Sequence, residues 1–365
     1  MPKLQEIINV LEDFAPLHYQ ESYDNSGLIV GDRETDIQNA LLTLDCTEAV
    51  IDEAIEKNIQ LIIAHHPIVF SGLKSLTGKN YIEKVIIKAI KHDIAIYVAH
   101  TNLDHVYMGV NHKIAEKLQL KNLSILDPKK DTLLQFYVYV PVNHAEKVRN
   151  ALFDAGAGSI GAYSACSFNT QGIGTFLPSQ DANPFVGEKN TLAHEDEIKI
   201  EVILSEEKKE HILKAMRAAH PYEEIAYGFV SLENKNQYIG AGMLGELSDE
   251  MSESQFLALL KTTMKTSCIR HTSLRNQNIK KIAICGGSGS FLLNKAIKAQ
   301  ADIFITADYK YHQFFDAENK LIIADIGHYE SEQFTAEIFY DVLSNKFPNF
   351  ALQITSVNTN PIIYY

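Results

Sequence analysis

Two adjacent histidines, His65 and His66, close the apolar run Gln60-Leu61-Ile62-Ile63-Ala64 and are followed by Pro67. Successive side chains on a strand point to opposite sides. Where the strand ends, that divergence can aim two imidazoles at two neighbouring metal ions, although a pair of hydrogen-bonded structural histidines is an equal alternative. Asp104 follows a second apolar run, Ile94-Ala95-Ile96-Tyr97-Val98-Ala99, in the segment His100-Thr101-Asn102-Leu103-Asp104. Taken alone, an acid there reads first as a cap or turn residue. His328 and Glu332 stand four apart in Gly327-His328-Tyr329-Glu330-Ser331-Glu332, so a helix starting near His328 puts both on one face. The two oxygens of Glu332 could serve two ions. Three imidazoles and two carboxylates suit Zn, Mn, Fe, Co or Ni, and the set lacks the thiolates of a purely structural zinc site. Five ligands for two divalent ions leave positions open for water, as hydrolytic chemistry requires.

Other residues qualify by position. Gly286-Gly287-Ser288-Gly289-Ser290 joins an apolar run to a helical pattern over 291–299. Backbone amides at such a junction can cradle an anion, which makes Gly286, Gly287, Ser288 and Gly289 candidate substrate-binding residues. A tight turn is the alternative, and the run fits neither G-x-G-x-x-G nor G-x-x-x-x-G-K-[ST]. His100 is a candidate general acid or base, or a group that orients a ligand. Asp45, Asp308, His312 and Asp325 fall at or soon after apolar runs and are candidate supporting groups; Cys285 receives no role.

The elements that must position these groups share one pattern: a short continuous apolar run, then polar chemistry, then a helical stretch. It recurs at 40–46, 60–66, 94–104, 281–290, 302–309 and 321–328. Continuous apolar runs suit strands buried on both faces, and helices between them suit βα units. The expected fold is therefore α/β, with mostly parallel sheets flanked by helices and the chemistry beyond the carboxyl ends of the strands. The texture changes in the middle. Strand-like 133–141, helix-like 144–154, an alternating strand at 197–204, helix-like 206–218 and strand-like 225–230 predict an inserted α+β domain of ferredoxin-like type. The expected division is 1–126 and 242–365 for the metal-binding α/β domain, with 127–241 as the insert.

Composition narrows the class. The chain has 365 residues, 46% hydrophobic and 22% charged, with a net charge of −13. That charge argues against nonspecific nucleic-acid binding, which needs clustered Lys and Arg. No apolar run is long enough for a membrane span, and the start lacks the pattern of a signal peptide, so a cytoplasmic protein is expected. Four dispersed cysteines without a C-x-x-C pair predict buried, reduced thiols.

Four segments together resemble the NIF-three-like dinuclear metal protein family, also called GTP cyclohydrolase 1 type 2 homologues: Ala64-His65-His66-Pro67, His100-Thr101-Asn102-Leu103-Asp104, Cys285-Gly286-Gly287-Ser288-Gly289-Ser290 and Gly327-His328-Tyr329-Glu330-Ser331-Glu332. Tyr23-Asp24-Asn25-Ser26-Gly27-Leu28 resembles its N-terminal signature, with Tyr23 where Trp is common. The middle, including Ala219-His220-Pro221-Tyr222-Glu223-Glu224, resembles the inserted domain of the longer bacterial members, similar in turn to nitrogen-regulatory and copper-tolerance trimeric modules. The resemblance implies that His65 and Asp104 bind one ion, His66 and His328 the other, and that Glu332 bridges them. It also implies a homohexameric toroid. A metal-dependent hydrolase acting on GTP or a related nucleotide is the expected function. A metal-binding regulator or chaperone without turnover is the alternative.

Overall fold

A computed structural model of the chain describes residues 1–130 and 132–365. It divides into two compact units, one formed by Met1–Pro128 and Gln237–Tyr365, the other by Lys129–Asn236.

The first unit carries two sheets. In the five-stranded sheet the order is Gly27–Val30, Ala95–Val98, Leu61–His66, Asn39–Asp45, Ala351–Ile354. Its three pairings after the first are parallel: 95–98 with 61–66, 61–66 with 39–45, and 39–45 with 351–354. In the six-stranded sheet the strands Asn278–Ser288, Ile303–Ala307 and Ile322–Asp325 run parallel side by side. Antiparallel strands extend both sheets at their edges, including the long Gly240–Ser252 and Lys121–Pro128. The antiparallel strands are only partly buried, whereas the parallel strands 39–45, 61–66, 95–98, 303–307 and 322–325 are buried almost continuously, which is why the latter read clearly as βα units. Leu42, Ile63, Tyr97, Ile284, Ile305 and Ala324 share one core with the helices Leu4–Phe14 and Thr335–Lys346. Among the described residues, no helix is long and apolar enough to cross a membrane.

The second unit is a four-stranded antiparallel sheet, Phe168–Phe176, Ala193–Ser205, Leu133–Pro141, Tyr227–Leu232 in spatial order. Helices Ala145–Asp154 and Lys209–Ala219 pack on it through Val148, Leu152, Ile212 and Met216.

The last residues of the chain are tied down by one buried acid. Glu53, 7% exposed, accepts from Ser356 N (3.0 Å), Ser356 Oγ (2.7 Å), Thr355 Oγ1 and Lys57 Nζ (2.7 Å). Burial alone would raise its pKa, but these bonds outweigh it and lower the group from 4.5 to about 2. A carboxyl depressed on folding stabilises the native state above its unfolded pKa, and that share is lost as pH falls from about 4.5 toward about 2. Glu53→Gln is expected to cost about 1–3 kcal/mol at neutral pH. Urea denaturation across pH should show this deficit closing in acid.

Candidate metal centre

Every strand that the pattern placed toward the site ends at it. Asp45 closes the strand Asn39–Asp45 and lies in register beside His66, the last residue of Leu61–His66. The strand Ala95–Val98 runs into His100 and the short helix Thr101–His105, which carries Asp104. In the other sheet, Ile303–Ala307 leads to Asp308, and Ile322–Asp325 leads to the helix His328–Glu332. The carboxyl ends of both parallel arrays thus face one another, as expected for ligands in open α/β sheets.

Three sets of side chains have ligand atoms within 4.8 Å of one another: His65, Asp104 and Glu332; His66, His328 and Glu332; and His65, His66 and His100. Glu332 belongs to the first two. Its Oε2 lies 2.8 Å from His66 Nε2, 3.1 Å from His328 Nε2 and 3.9 Å from His65 Nε2, and His65 Nε2 is 3.6 Å from Asp104 Oδ1. All five residues proposed from the sequence as ligands, and His100 with them, therefore come together.

The opposite ring nitrogens are all held. His65 Nδ1 donates to Ala99 O (2.8 Å), His66 Nδ1 to Asp45 (2.7 Å), His328 Nδ1 to Asp308 (2.7 Å) and His100 Nδ1 to Asp24 (2.8 Å). An imidazole whose Nδ1–H is donated presents Nε2 as the remaining ligand atom, and this outer hydrogen bond is a regular companion of metal-binding histidines.

Without a cation, this arrangement is electrostatically incomplete. His65 Nε2 and Asp104 Oδ1 are buried and have no hydrogen-bond partner, which is costly for groups of this kind. His66 Nε2 and His328 Nε2 sit 3.2 Å apart. Neutral rings with Nδ1–H donated outward set lone pair against lone pair there, two protonated rings set N–H against N–H, and only a pair with one ring protonated can hydrogen-bond. A divalent ion on each set would satisfy the orphaned His65 Nε2 and Asp104 Oδ1 and take up the facing lone pairs of neutral His66 and His328, so the donor set fits metal.

The pKa shifts describe the same imbalance. Burial lowers His65 to about 3, which keeps it neutral and able to ligate. Burial would also lower His66 and His328, but the carboxylates around them win. Asp45 and Glu332 raise His66 to about 10, while Glu332 and Asp308 raise His328 to about 9. Burial, reinforced by the Glu332 charge, holds Asp104 well above the usual carboxylate range. Burial opposes ionisation of Glu332, yet the neighbouring His328, His66 and His65 keep it well below that range.

The glycine-rich run has a different role from the amide cradle expected of it. Gly286 N donates to Asn111 Oδ1 (2.9 Å), Gly287 N to Ser331 Oγ (2.9 Å) and Gly289 N to Thr306 Oγ1 (3.0 Å), so these amides are already taken. A Cβ on Gly287, at φ +61°, would stand 2.4 Å from Glu332 Oε1, and one on Gly289 would meet Cys285 and Thr306 at 2.5 Å. The glycines make room for the carboxylate and for close packing of the loop. Gly286 and Ser288 do line the cavity. His312 sits in the turn Tyr311–Ala317 beside Tyr311 and Phe315, away from that lining. Asp325 binds Tyr309 N, Gly327 N and Arg270, shaping the loop before His328.

Two supporting residues escaped the sequence reading. Asp24, fully buried at its side chain, holds His100 and also accepts from Thr101 N (3.0 Å) and Thr101 Oγ1. Burial would raise its pKa; the bonds to His100 and Thr101 drive it far down instead. Thr359 Oγ1 donates to the second oxygen of Asp45 (2.6 Å). Asp24 sits in the polar turn Asp24-Asn25-Ser26-Gly27, a weak local signal, while Thr359 has none.

A cavity of about 880 Å³ opens over the cluster, lined by His66, His100, Asp104, His328 and Glu332 and rimmed by the exposed rings of Tyr23, Phe70, Tyr81 and Phe291. Among the described residues that line it, none is Lys or Arg.

Comparison with known proteins agrees along the whole length. The profile of the family Duf34/NIF3 (NGG1p interacting factor 3) matches residues 2–361. A Halalkalibacterium halodurans protein described as GTP cyclohydrolase 1 type 2 homolog is 38% identical over 365 residues, covering 99% of this chain and 98% of its own. A Bacillus subtilis protein of the same description is 40% identical over 327 residues, covering 89% and 88%. The crystal structure of a Bacillus cereus protein related to NIF3 superposes with a TM-score of 0.88 at 37% identity, covering 100% of this chain and 99% of that one. With near-complete matches to the family profile, to full-length relatives and to a solved fold, this chain belongs to the Duf34/NIF3 family.

Proposed function

We propose that the chain is a hydrolase dependent on two divalent metal ions, acting on a heterocycle of the nucleotide class such as the base of GTP. The observation that carries the reading is the pair of buried, unpartnered ligand atoms, His65 Nε2 and Asp104 Oδ1, beside the facing Nε2 atoms of His66 and His328. His65 and Asp104 with Glu332 would hold one ion, and His66 and His328 with Glu332 the other. When bound, such ions lower the pKa of water and polarise an electrophilic carbon or oxygen.

The chain's own groups supply the rest. His100, held through Nδ1 by Asp24, leaves its Nε2 to take up or deliver a proton within the cavity. Tyr23, Phe70, Tyr81 and Phe291 offer faces on which a planar base can stack. The lack of a lining Lys or Arg leaves a triphosphate no side-chain cation at the cavity wall, so the heterocycle is the part that this wall recognises. The description of the relatives as GTP cyclohydrolase 1 type 2 homologs supports the same substrate class.

Metal-loaded protein incubated with GTP and, separately, with guanosine is the test, with formate release as the readout. Formate from either supports the reading. Retention of metal with no turnover of any nucleotide or nucleoside sinks it and favours the alternative of a metal-binding regulator. The outer hydrogen bonds should matter as well: Asp45→Asn is expected to weaken metal retention by roughly 10- to 100-fold, measured by competition with a chelator. Unchanged retention would mean that the His66 Nδ1 bond is not part of the site.

A further inference from the structure

Most buried carboxylates come with donors; Asp104 Oδ1 in the metal centre and single oxygens of Glu12 and Glu207 are the exceptions among the described residues. Among the described residues, Glu53 has lysine, hydroxyl and amide donors, Glu83 the amides of Thr77 and Lys79, Glu253 those of Arg275 and Asn276, Asp325 has Arg270, and Glu330 has Asn360. Glu197, 8% exposed in the second unit, has none of these. The donor that faces it is the hydroxyl of Tyr222, itself buried and without a hydrogen bond of proper geometry. A charge left in this condition is expensive for a fold to keep.

The carboxylate has space in front of it. Glu197 lines a cavity of about 560 Å³, within the size range of small-molecule sites. Its walls include the rings of Tyr139, Phe176, Phe185 and Tyr222. Two more acids, Glu223 and Glu224, line it, and among the described residues no Lys or Arg does.

The local fold is arranged around this carboxylate. A Cβ on Gly174, in the neighbouring strand, would stand 2.2 Å from Glu197 Oε2, so a bare backbone is what lets the carboxylate lie there. His220 Nε2 donates to Tyr139 O (2.9 Å), which leaves Nδ1 to accept from Tyr222 N (3.1 Å). That pair of bonds sets the turn presenting the Tyr222 ring. Glu223 accepts from Asn183 N (2.8 Å) and latches the loop that carries Phe185.

We propose that this cavity binds a small organic cation, an alkylammonium, with its charge against Glu197 and its alkyl groups enclosed by Tyr139, Phe176, Phe185 and Tyr222. Aromatic faces and a desolvated carboxylate are the two groups that recognise such a ligand, the rings through their quadrupoles and the carboxylate through its charge. An anion would meet three carboxylates and no cation. A neutral apolar molecule would leave the Glu197 charge unmatched. Burial, with the Tyr222 hydroxyl opposing it and the Glu195 charge adding to it, pushes the Glu197 carboxyl upward, a bias that a bound cation would reverse.

Full-length protein titrated calorimetrically with tetramethylammonium and n-butylammonium chloride tests the site, with sodium chloride and sodium butyrate as controls. Saturable binding of an ammonium probe is expected, at one per chain. Glu197→Gln, nearly isosteric, should weaken it by at least about ten-fold, the scale for removing the charge from a desolvated ion pair. Phe185→Ala tests the aromatic wall at a position already 53% exposed, where the fold tolerates the change. It should weaken tetramethylammonium more than n-butylammonium. No saturable binding of either probe, equal affinity for butyrate, or undiminished binding by both variants overturns the proposal.

Discussion

Glu332→Gln is expected to strip the protein of metal while leaving it folded. The carboxylate is 3% exposed and contributes to two of the three ligand sets, one with His65 and Asp104 and one with His66 and His328. Gln keeps the shape but removes the charge that offsets both cations. Loss of an outer hydrogen bond to a ligand already costs roughly 10- to 100-fold in metal affinity, so loss of the shared anionic ligand should exceed about 100-fold. Elemental analysis after dialysis against a chelator reads the result. The parent protein should retain its ions and the variant should not, with the far-ultraviolet circular dichroism unchanged. Retention at the parental stoichiometry would mean that Glu332 is no ligand and that the bridging role is wrong. Turnover, where the parent shows it, should fall with the metal.

Gly287→Ala should produce nearly the same loss without touching a ligand. Gly287 lies at φ +61°, and an added methyl would stand 2.4 Å from Glu332 Oε1. Backbone strain alone costs an L-residue about 1–2 kcal/mol in that region. The methyl must also displace a carboxylate packed between His66 and His328, because the backbone around it is fixed by the Ser331 and Thr306 hydroxyls. Gly161→Ala separates the two effects. Gly161 has φ +57° and nothing within 4 Å of the added Cβ, so it carries the strain without the collision. Gly161→Ala should lower the melting temperature slightly and keep the metal; Gly287→Ala should lose it. Equal metal retention in both would mean that the loop glycines are present for backbone conformation alone.

Much of the centre was legible from composition and spacing. Continuous apolar runs ending in His65-His66, in His100 through Asp104 and before His328 identified parallel strands and the ends at which chemistry belongs. The antiparallel strands added at the sheet edges were harder to place, because an edge strand exposes part of one face and its weaker pattern does not say which neighbour it joins. Gly286 to Gly289 misled for a related reason. Glycine at a strand-to-helix junction is compatible both with an anion cradle and with close packing, and the choice depends on Asn111, Ser331 and Thr306, all distant in sequence, occupying the amides.

What the chain's own order of residues determined was the inventory: which side chains stand at strand ends, and that His328 and Glu332 share a helical face. What only the tertiary structure decided was how each ring is turned. Asp45 reaches His66 because two parallel strands pair in one register, Asp24 reaches His100 across 76 positions, and Asp308 reaches His328 from the next strand. An imidazole has two nearly equivalent nitrogens, and nothing in its immediate sequence selects between them. The partner that captures Nδ1 makes the selection, and it is brought there by sheet pairing between segments far apart in the chain.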